Sequence, residues 1–310
     1  MCDPRLNGEG TEDISNVNQL KTILLLGILS AILVGIGGAL GPNALGISLV
    51  LALVLNVGAY FFSDRIVLAM HRAQELSAAQ APELHGMVAE LAARAGIPMP
   101  RLYLIPEAQP NAFATGRNPE HAVVAVTSGI LEALDRRELR GVLAHELAHV
   151  KNRDILVSSI AATVAAAITY VAHAVGFLGM GSSDDDGPSP AQSLLLALVA
   201  PIAATLIQLG ISRSREYGAD ATGAEISGDP EALARALEKL DQAAHAIPAP
   251  LQPATASLFI VNPFSATEGV LTLFSTHPSM RERIRRLRAM QISSGGWPVG
   301  ARAATSDARW

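Results

Sequence analysis

Asp135-Arg-Arg-Glu138-Leu-Arg-Gly-Val-Leu-Ala-His145-Glu146-Leu147-Ala148-His149 lies near the middle of a chain of 310 residues. Its two histidines are four residues apart, which on a helix puts both imidazoles on one face, about 5–6 Å apart at Cβ. A single ion is then within reach of both. Glu146 stands beside that ion, where its carboxylate can take a proton from a water acidified by the metal. Asp135, with Glu138 three residues on, has the form of a capping box and starts a helix at about Arg136. That helix is expected to run through both histidines and on into the apolar segment beyond. A charged helix face without a metal is the plainer reading of the same five residues.

A catalytic zinc usually keeps three protein ligands and one open position. The extended motif with a third histidine six residues after His149 is absent, because Ile155 stands there and Asn152 takes the place of its glycine. A downstream carboxylate is therefore required, and Glu216 is the best placed. It follows one uncharged run by four residues, as His149 precedes another by six. Asp220 lies one helical turn further and reaches the same site, where a carboxylate can fix the tautomer of a ligating histidine. A solvated helix end, with Glu216 and Asp220 paired to Arg213 or Arg215, suits the same spacing, and spacing alone does not choose between the two.

Outward from this helix the chain is poor in charge: 16% charged and 50% hydrophobic residues, against roughly 25% charged in an average soluble protein. Such a composition excludes disorder over most of the length. The single cysteine, Cys2, excludes a disulfide scaffold, and a net charge of -5 offers no footprint for nucleic acid. The apolar residues are concentrated. Residues 22–63 carry no charge, nor do 155–183 and 187–212. A helix needs about 20 apolar residues to cross a bilayer, so four spans are expected, at 22–40, 44–62, 155–178 and 192–212, the first pair broken at Gly41-Pro42-Asn43. Core helices of a soluble protein are the alternative, but these rarely run so far without a charge. If 155–212 is re-entrant rather than spanning, the polar segments still share one side.

The loops at 41–43 and 181–190 hold no Lys or Arg, whereas Lys21, Arg65, Arg72, Lys151, Arg153, Arg213 and Arg215 flank the other ends. By the positive-inside rule both termini and the polar segments face the cytoplasm. No cleaved signal peptide is expected, since the first 20 residues are more acidic than basic. Within the polar segments, helices are expected at 78–95, 128–134, 230–245 and 277–290, and strands at 101–105 and 121–127. The tail from Ser293 is rich in Gly, Ser and Pro and reads as disordered. His173 falls inside a span and reads as a neutral packing residue. His71, His85, His121 and His245 have no partner at ligand spacing and read as surface or capping residues.

Four segments together carry a resemblance: Asn111-Ala-Phe-Ala-Thr-Gly116, Gly141-Val-Leu-Ala-His145-Glu-Leu-Ala-His149 with Asn152 and Asp154, Ser214-Arg-Glu216-Tyr-Gly-Ala-Asp220, and Thr276-His277-Pro278 with Arg283. With the four apolar spans, they resemble the HtpX family of membrane zinc metalloproteases, relatives of the CAAX prenyl proteases, over about residues 20–290. The resemblance implies a mainly α, multi-pass membrane protein with a small α+β zinc protease domain of the gluzincin type. It implies one zinc ion held by His145, His149 and Glu216, with Glu146 as general base and Asp220 supporting a metal-bound histidine. Asn111–Gly116 resembles an edge-strand segment that holds substrate backbone. His277 and Arg283 match a motif near the site, where oxyanion stabilisation and simple capping or salt bridging are both open.

The resulting organisation is an N-terminal extension at 1–21, paired spans at 22–62, a first protease part at 63–154, paired spans at 155–212, a second protease part at 213–292 and a tail at 293–310. The expected function is cleavage of membrane proteins or their cytoplasmic loops in the inner membrane of a prokaryotic cell, in protein quality control. The partners expected are membrane-protein substrates and the lipid bilayer, with no nucleic acid; oligomeric state is not legible. An intramembrane protease is disfavoured by the charges beside the motif (Arg136, Arg137, Arg140, Lys151, Arg153 and Asp154). An inactive membrane scaffold is disfavoured by the intact His, Glu, His, Glu set.

Overall fold

The computed structural model describes residues 9–40, 42–178, 213–246, 260 and 279–293. The expected fourth span at 192–212, His277 and the tail lie outside them. Two long helices come first, α1 (Glu9–Leu40) and α2 (Pro42–Met70). Helix α1 begins before its expected span, in the polar residues from Glu9, and α2 runs past its own through Asp64 and Arg65 to Met70. Each contains a window long and apolar enough to cross a membrane, Asn18–Gly35 and Leu45–Met70. The helix α6 (Ile155–Leu178) packs against both. Leu25, Leu29 and Leu33 of α1, Ala52 of α2, and Val157, Ile160, Ala161 and Val164 of α6 form their common core.

Four strands follow from α2: β1 (Gln74–Glu75), β2 (Arg101–Ile105), β3 (Ala112–Thr115) and β4 (Val123–Thr127). Their order is β1-β2-β4-β3. Strand β4 runs parallel to β2, with Arg101 opposite Val123, and antiparallel to β3, with Ala112 opposite Val126. Side chains alternate between the faces of a strand, and the sheet uses both. Leu102, Ala112, Ala114, Val124 and Val126 enter the main core. Ile105, Phe113, Val123 and Ala125 pack on Val67 and Leu68 at the end of α2 and on Ala162 of α6. The sheet therefore lies between the main core and the end of the apolar hairpin. The expected strand at 121–127 starts later, at Val123, since Pro119–His121 forms a 3-10 turn capped by the Asn118 side chain.

Helix α3 (Pro82–Ala95) starts at its proline and ends at Gly96, whose φ of 70° takes the left-handed cap that glycine accepts without strain. Its buried residues include Leu84, Val88 and Leu91, spaced four and three apart along one face. The short α4 (Ser128–Ala133) leads to α5 (Arg136–Lys151). The capping box is present: the Asp135 carboxylate accepts from Glu138 N–H at 2.9 Å, and Glu138 accepts from Asp135 N–H at 3.0 Å. Glu138 is buried and pairs with Lys239 at 2.6 Å, which ties the start of α5 to α8 (Pro230–Ala246).

The helix does not continue into the apolar run as expected. It stops at Lys151, and Arg153 takes a left-handed φ of 58°. Arg153 N–H donates to Val150 C=O at 3.1 Å and Asp154 N–H to His149 C=O at 3.0 Å. This is a Schellman turn with an arginine where glycine is usual. The remaining helices are α7 (Arg213–Ser227) and α9 (Met280–Ser293). The last begins at Met280 rather than at 277.

Candidate metal centre

His145 and His149 project from adjacent turns of α5, their ring centroids 4.8 Å apart. Helix α7 lies directly against this part of α5. A Cβ on Gly223 would come within 2.9 Å of the His145 backbone, so only glycine permits the approach. Glu216 is thereby delivered to the histidines: its Oε2 is 3.8 Å from His145 Nε2, and its Oε1 is 3.6 Å from His149 Nε2. One ligand atom from each of His145, His149 and Glu216 lies within 4.8 Å of the others, a group able to hold a metal ion. Two imidazoles and a carboxylate are a donor set that suits zinc, and both Nε2 atoms lie within 4 Å of the carboxylate, that of His145 also 3.3 Å from Arg283 Nη2.

Behind each histidine stands a carboxylate. Asp220 Oδ1 is 3.0 Å from His145 Nδ1, and Asp154 Oδ2 is 3.2 Å from His149 Nδ1. Asp220 follows Glu216 by one turn of α7, as the sequence indicates. Asp154 is brought back by the Schellman turn; from sequence it is part of the resemblance but has no role, and the signal available there is its place five residues after His149. Glu216 and Asp220 are buried, which overturns the solvated helix-end reading. Their cation is Arg283 of α9. Its Nε and Nη2 donate to Asp220 at 2.8 and 2.7 Å, and its Nη1 lies 3.5 Å from Glu216 and donates to Ile260 C=O at 3.1 Å. Arg283 is fully buried. Arg215 instead approaches Asp154, at 3.9 Å.

Glu146 points from α5 to the sheet. Thr127 N–H donates to Asn111 C=O at 2.9 Å, which makes 111 and 127 a hydrogen-bonded pair. Pairs alternate along an antiparallel ladder, so the amides of Ala112 and Ala114 face away from β4 along the sheet edge. Ala114 N–H donates to Glu146 Oε2 at 2.9 Å. Asn111 itself is buried, and its Oδ1 accepts from Ile260 N–H at 3.2 Å; its side chain is turned to residue 260. His71, read from sequence as a surface or capping residue, is buried and paired with Glu107 at 3.0 Å.

Burial dominates the electrostatics of the cluster. It pushes the Glu146 carboxyl up to about 8, with the charge of Glu216 adding to the effect and His149 and the Ala114 amide opposing it. Burial also holds His145 below its ordinary value, although Asp220 pulls the other way. For His149 burial is outweighed by its hydrogen bond to Asp154 and the charges of Glu216, Asp154 and Glu146, which raise it to about 9. Burial would raise Asp220, but the charge and hydrogen bonds of Arg283 prevail and keep it well below the usual carboxylate range.

A model of the family described as Peptidase family M48 matches residues 78–291. The chain belongs to peptidase family M48. Relatives named "Protease HtpX homolog" cover most of it. That of Syntrophobacter fumaroxidans is 58% identical over 281 residues, spanning 88% of this chain and 99% of its own length. That of Desulfatibacillum aliphaticivorans is 52% identical over 289 residues, 91% of this chain and 93% of its own. The crystal structure of S. mikatae Ste24p aligns with a TM-score of 0.47 at 19% identity, over 89% of this chain and 66% of that one. As an M48 peptidase of the HtpX type, the chain is a metalloendopeptidase. The resemblance read from the four sequence segments is thus borne out.

Proposed function

We propose that this M48 peptidase is a zinc-dependent enzyme of the membrane surface, which cleaves membrane proteins or their cytoplasmic loops. The observation that carries this reading is the convergence of His145, His149 and Glu216 on one point, on segments that adjoin uncharged apolar runs in the sequence. One zinc ion per chain, held by these three residues, would supply Lewis acidity to polarise a peptide carbonyl and to acidify a water. Glu146 is the general base. Its carboxylate takes a proton from the attacking water and delivers it to the leaving amine nitrogen, while the Ala114 amide fixes the orientation of Oε2. Asp220 and Arg283 act as positioning residues: Asp220 holds the His145 ring, and Arg283 neutralises Asp220 and Glu216. Arg283 spends its donors on these partners, which favours salt bridging over an oxyanion role. Asn111 secures residue 260 beside the site, and the outer edge of β3 supplies backbone groups on which an extended substrate can pair. His277 remains a candidate substrate contact.

The membrane part of the proposal rests on the composition of α1 and α2. Ile23, Leu24, Ile47, Val50, Leu53 and Val54 are all exposed, and an apolar surface of this extent is suited to lipid. The charge bias across the hairpin supports cytoplasmic placement of the active site in a prokaryotic inner membrane, with further spans within 155–212. Quality control follows as the use of a protease so placed. The test is Glu146→Gln. It is expected to retain stoichiometric zinc while cleavage of a membrane-protein substrate falls by at least about 10²–10⁴-fold, the range supplied by general acid–base catalysis. Near-normal turnover in that variant would remove Glu146 as the base.

A further inference from the structure

The carboxylate behind His149 is itself held from the far end of the chain. Asn18 of α1 is buried, and its Nδ2 donates to Asp154 Oδ1 at 3.2 Å and to Arg153 C=O at 3.3 Å. It thereby engages both the left-handed residue of the Schellman turn and the side chain that this turn aims at the metal ligand. Arg215, one residue before Glu216, approaches the same Asp154 oxygen at 3.9 Å, and Lys21 lies within electrostatic reach of both. The first apolar helix, the end of α5 and the start of α7 thus meet at one carboxylate.

We infer that Asn18 and Asp154 are positioning residues that couple the placement of α1 to the hold of His149 on the metal. A ligating histidine is oriented by the partner on its other nitrogen, and the Asp154 carboxylate is free to rotate unless its second oxygen is fixed. Asn18 fixes it. A shift of α1 along its axis, such as a change in bilayer thickness would produce, moves Asn18 off Asp154 and relaxes the His149 ring. The site can then be assembled in full only when α1 is seated. This inference rests on the zinc reading above.

The experiment compares full-length protein and variants by competition for zinc with a chromophoric chelator, alongside metal-free melting temperature and the visible spectrum of the cobalt-substituted protein. Asn18→Ala is expected to weaken zinc binding by about tenfold, and Asp154→Asn by about 10–100-fold. Asn18→Gln, which keeps the carboxamide donor, should recover part of the loss, and the cobalt bands of N18A should shift. Because Asn18 acts through Asp154, the double variant N18A/D154N should bind no more weakly than D154N. Asn56→Ala breaks a bond of the same chemistry between α2 and Ser30 of α1 and should leave zinc affinity unchanged. Should N18A fail to fold, Asn18→Ser makes the same comparison. Wild-type affinity in N18A, additive losses in the double variant, or an equal loss in N56A overturns the inference. A wild-type protein that takes up no zinc overturns the metal reading instead.

Discussion

His145 and His149 reach one point from adjacent turns, and the difference between them lies in what stands behind each ring. Asp220 behind His145 is neutralised by Arg283, and burial keeps that histidine below its ordinary value. Asp154 behind His149 is held by Asn18, with Arg215 more distant and Lys21 within electrostatic reach, and His149 is raised to about 9 despite burial. Zinc takes the neutral ring, so uptake by the metal-free protein must expel a proton from His149. Apparent zinc affinity should therefore rise about tenfold per unit between pH of about 6 and about 8, with about one proton or more released per ion. Calorimetry in buffers of different ionisation heat measures that release, and a pH-independent affinity with no proton released would contradict a protonated His149. The same raised value stabilises the metal-free fold below the ordinary histidine value of 6.5, and that contribution disappears as the pH rises through about 9.

At the level of elements, a close helix pair and a turn build the site. Gly223 lets α7 press against the backbone of α5 at His145, and this approach carries Glu216 within reach of both histidines. A larger residue must force the helices apart, because its neighbours are backbone atoms that cannot rotate away. Gly223→Val is expected to destabilise the fold by about 1–3 kcal/mol, the usual range for overpacking. It should also weaken zinc binding beyond what the melting temperature explains. Unchanged zinc affinity would mean that Glu216 does not depend on this contact. The turn at Arg153 works differently. Sequence reading carries the helix straight through it, because Asn152 and Arg153 are ordinary helix residues and the next segment is strongly helical. The stop becomes visible only with the positive φ of Arg153 and the two turn hydrogen bonds, and it is this stop that creates the Asp154 contact.

For the whole molecule the question is what surrounds the apolar hairpin. Leu53 is 65% exposed. On a surface facing water, Leu53→Arg would change stability by less than about 0.5 kcal/mol. At the centre of a lipid-facing helix it costs about 3 kcal/mol. The fraction of chains integrated into membranes should accordingly fall sharply for L53R, measured by resistance to alkaline extraction. Equal integration would argue against α2 as a span. The sheet lies between this hairpin and the main core, with Phe113 on the hairpin side and Ala112 and Ala114 on the other. The apolar helices and the site therefore share one sheet.

By itself the sequence determined the elements of local origin: the capped α5, the i, i+4 pair of histidines, the glycine-stopped α3, and two apolar helices broken near Pro42. These follow from periodicity, capping and composition, which act over a few residues. It also supplied the family, because four short segments matched together. The tertiary structure alone buried Glu216 beside both histidines, assigned Arg283 to Asp220, and joined Asn18 to Asp154 across 136 positions. Those contacts depend on how helices distant in the chain approach one another. That approach is set by a glycine facing a backbone and a turn in the left-handed region, which no local pattern of charge or hydrophobicity encodes.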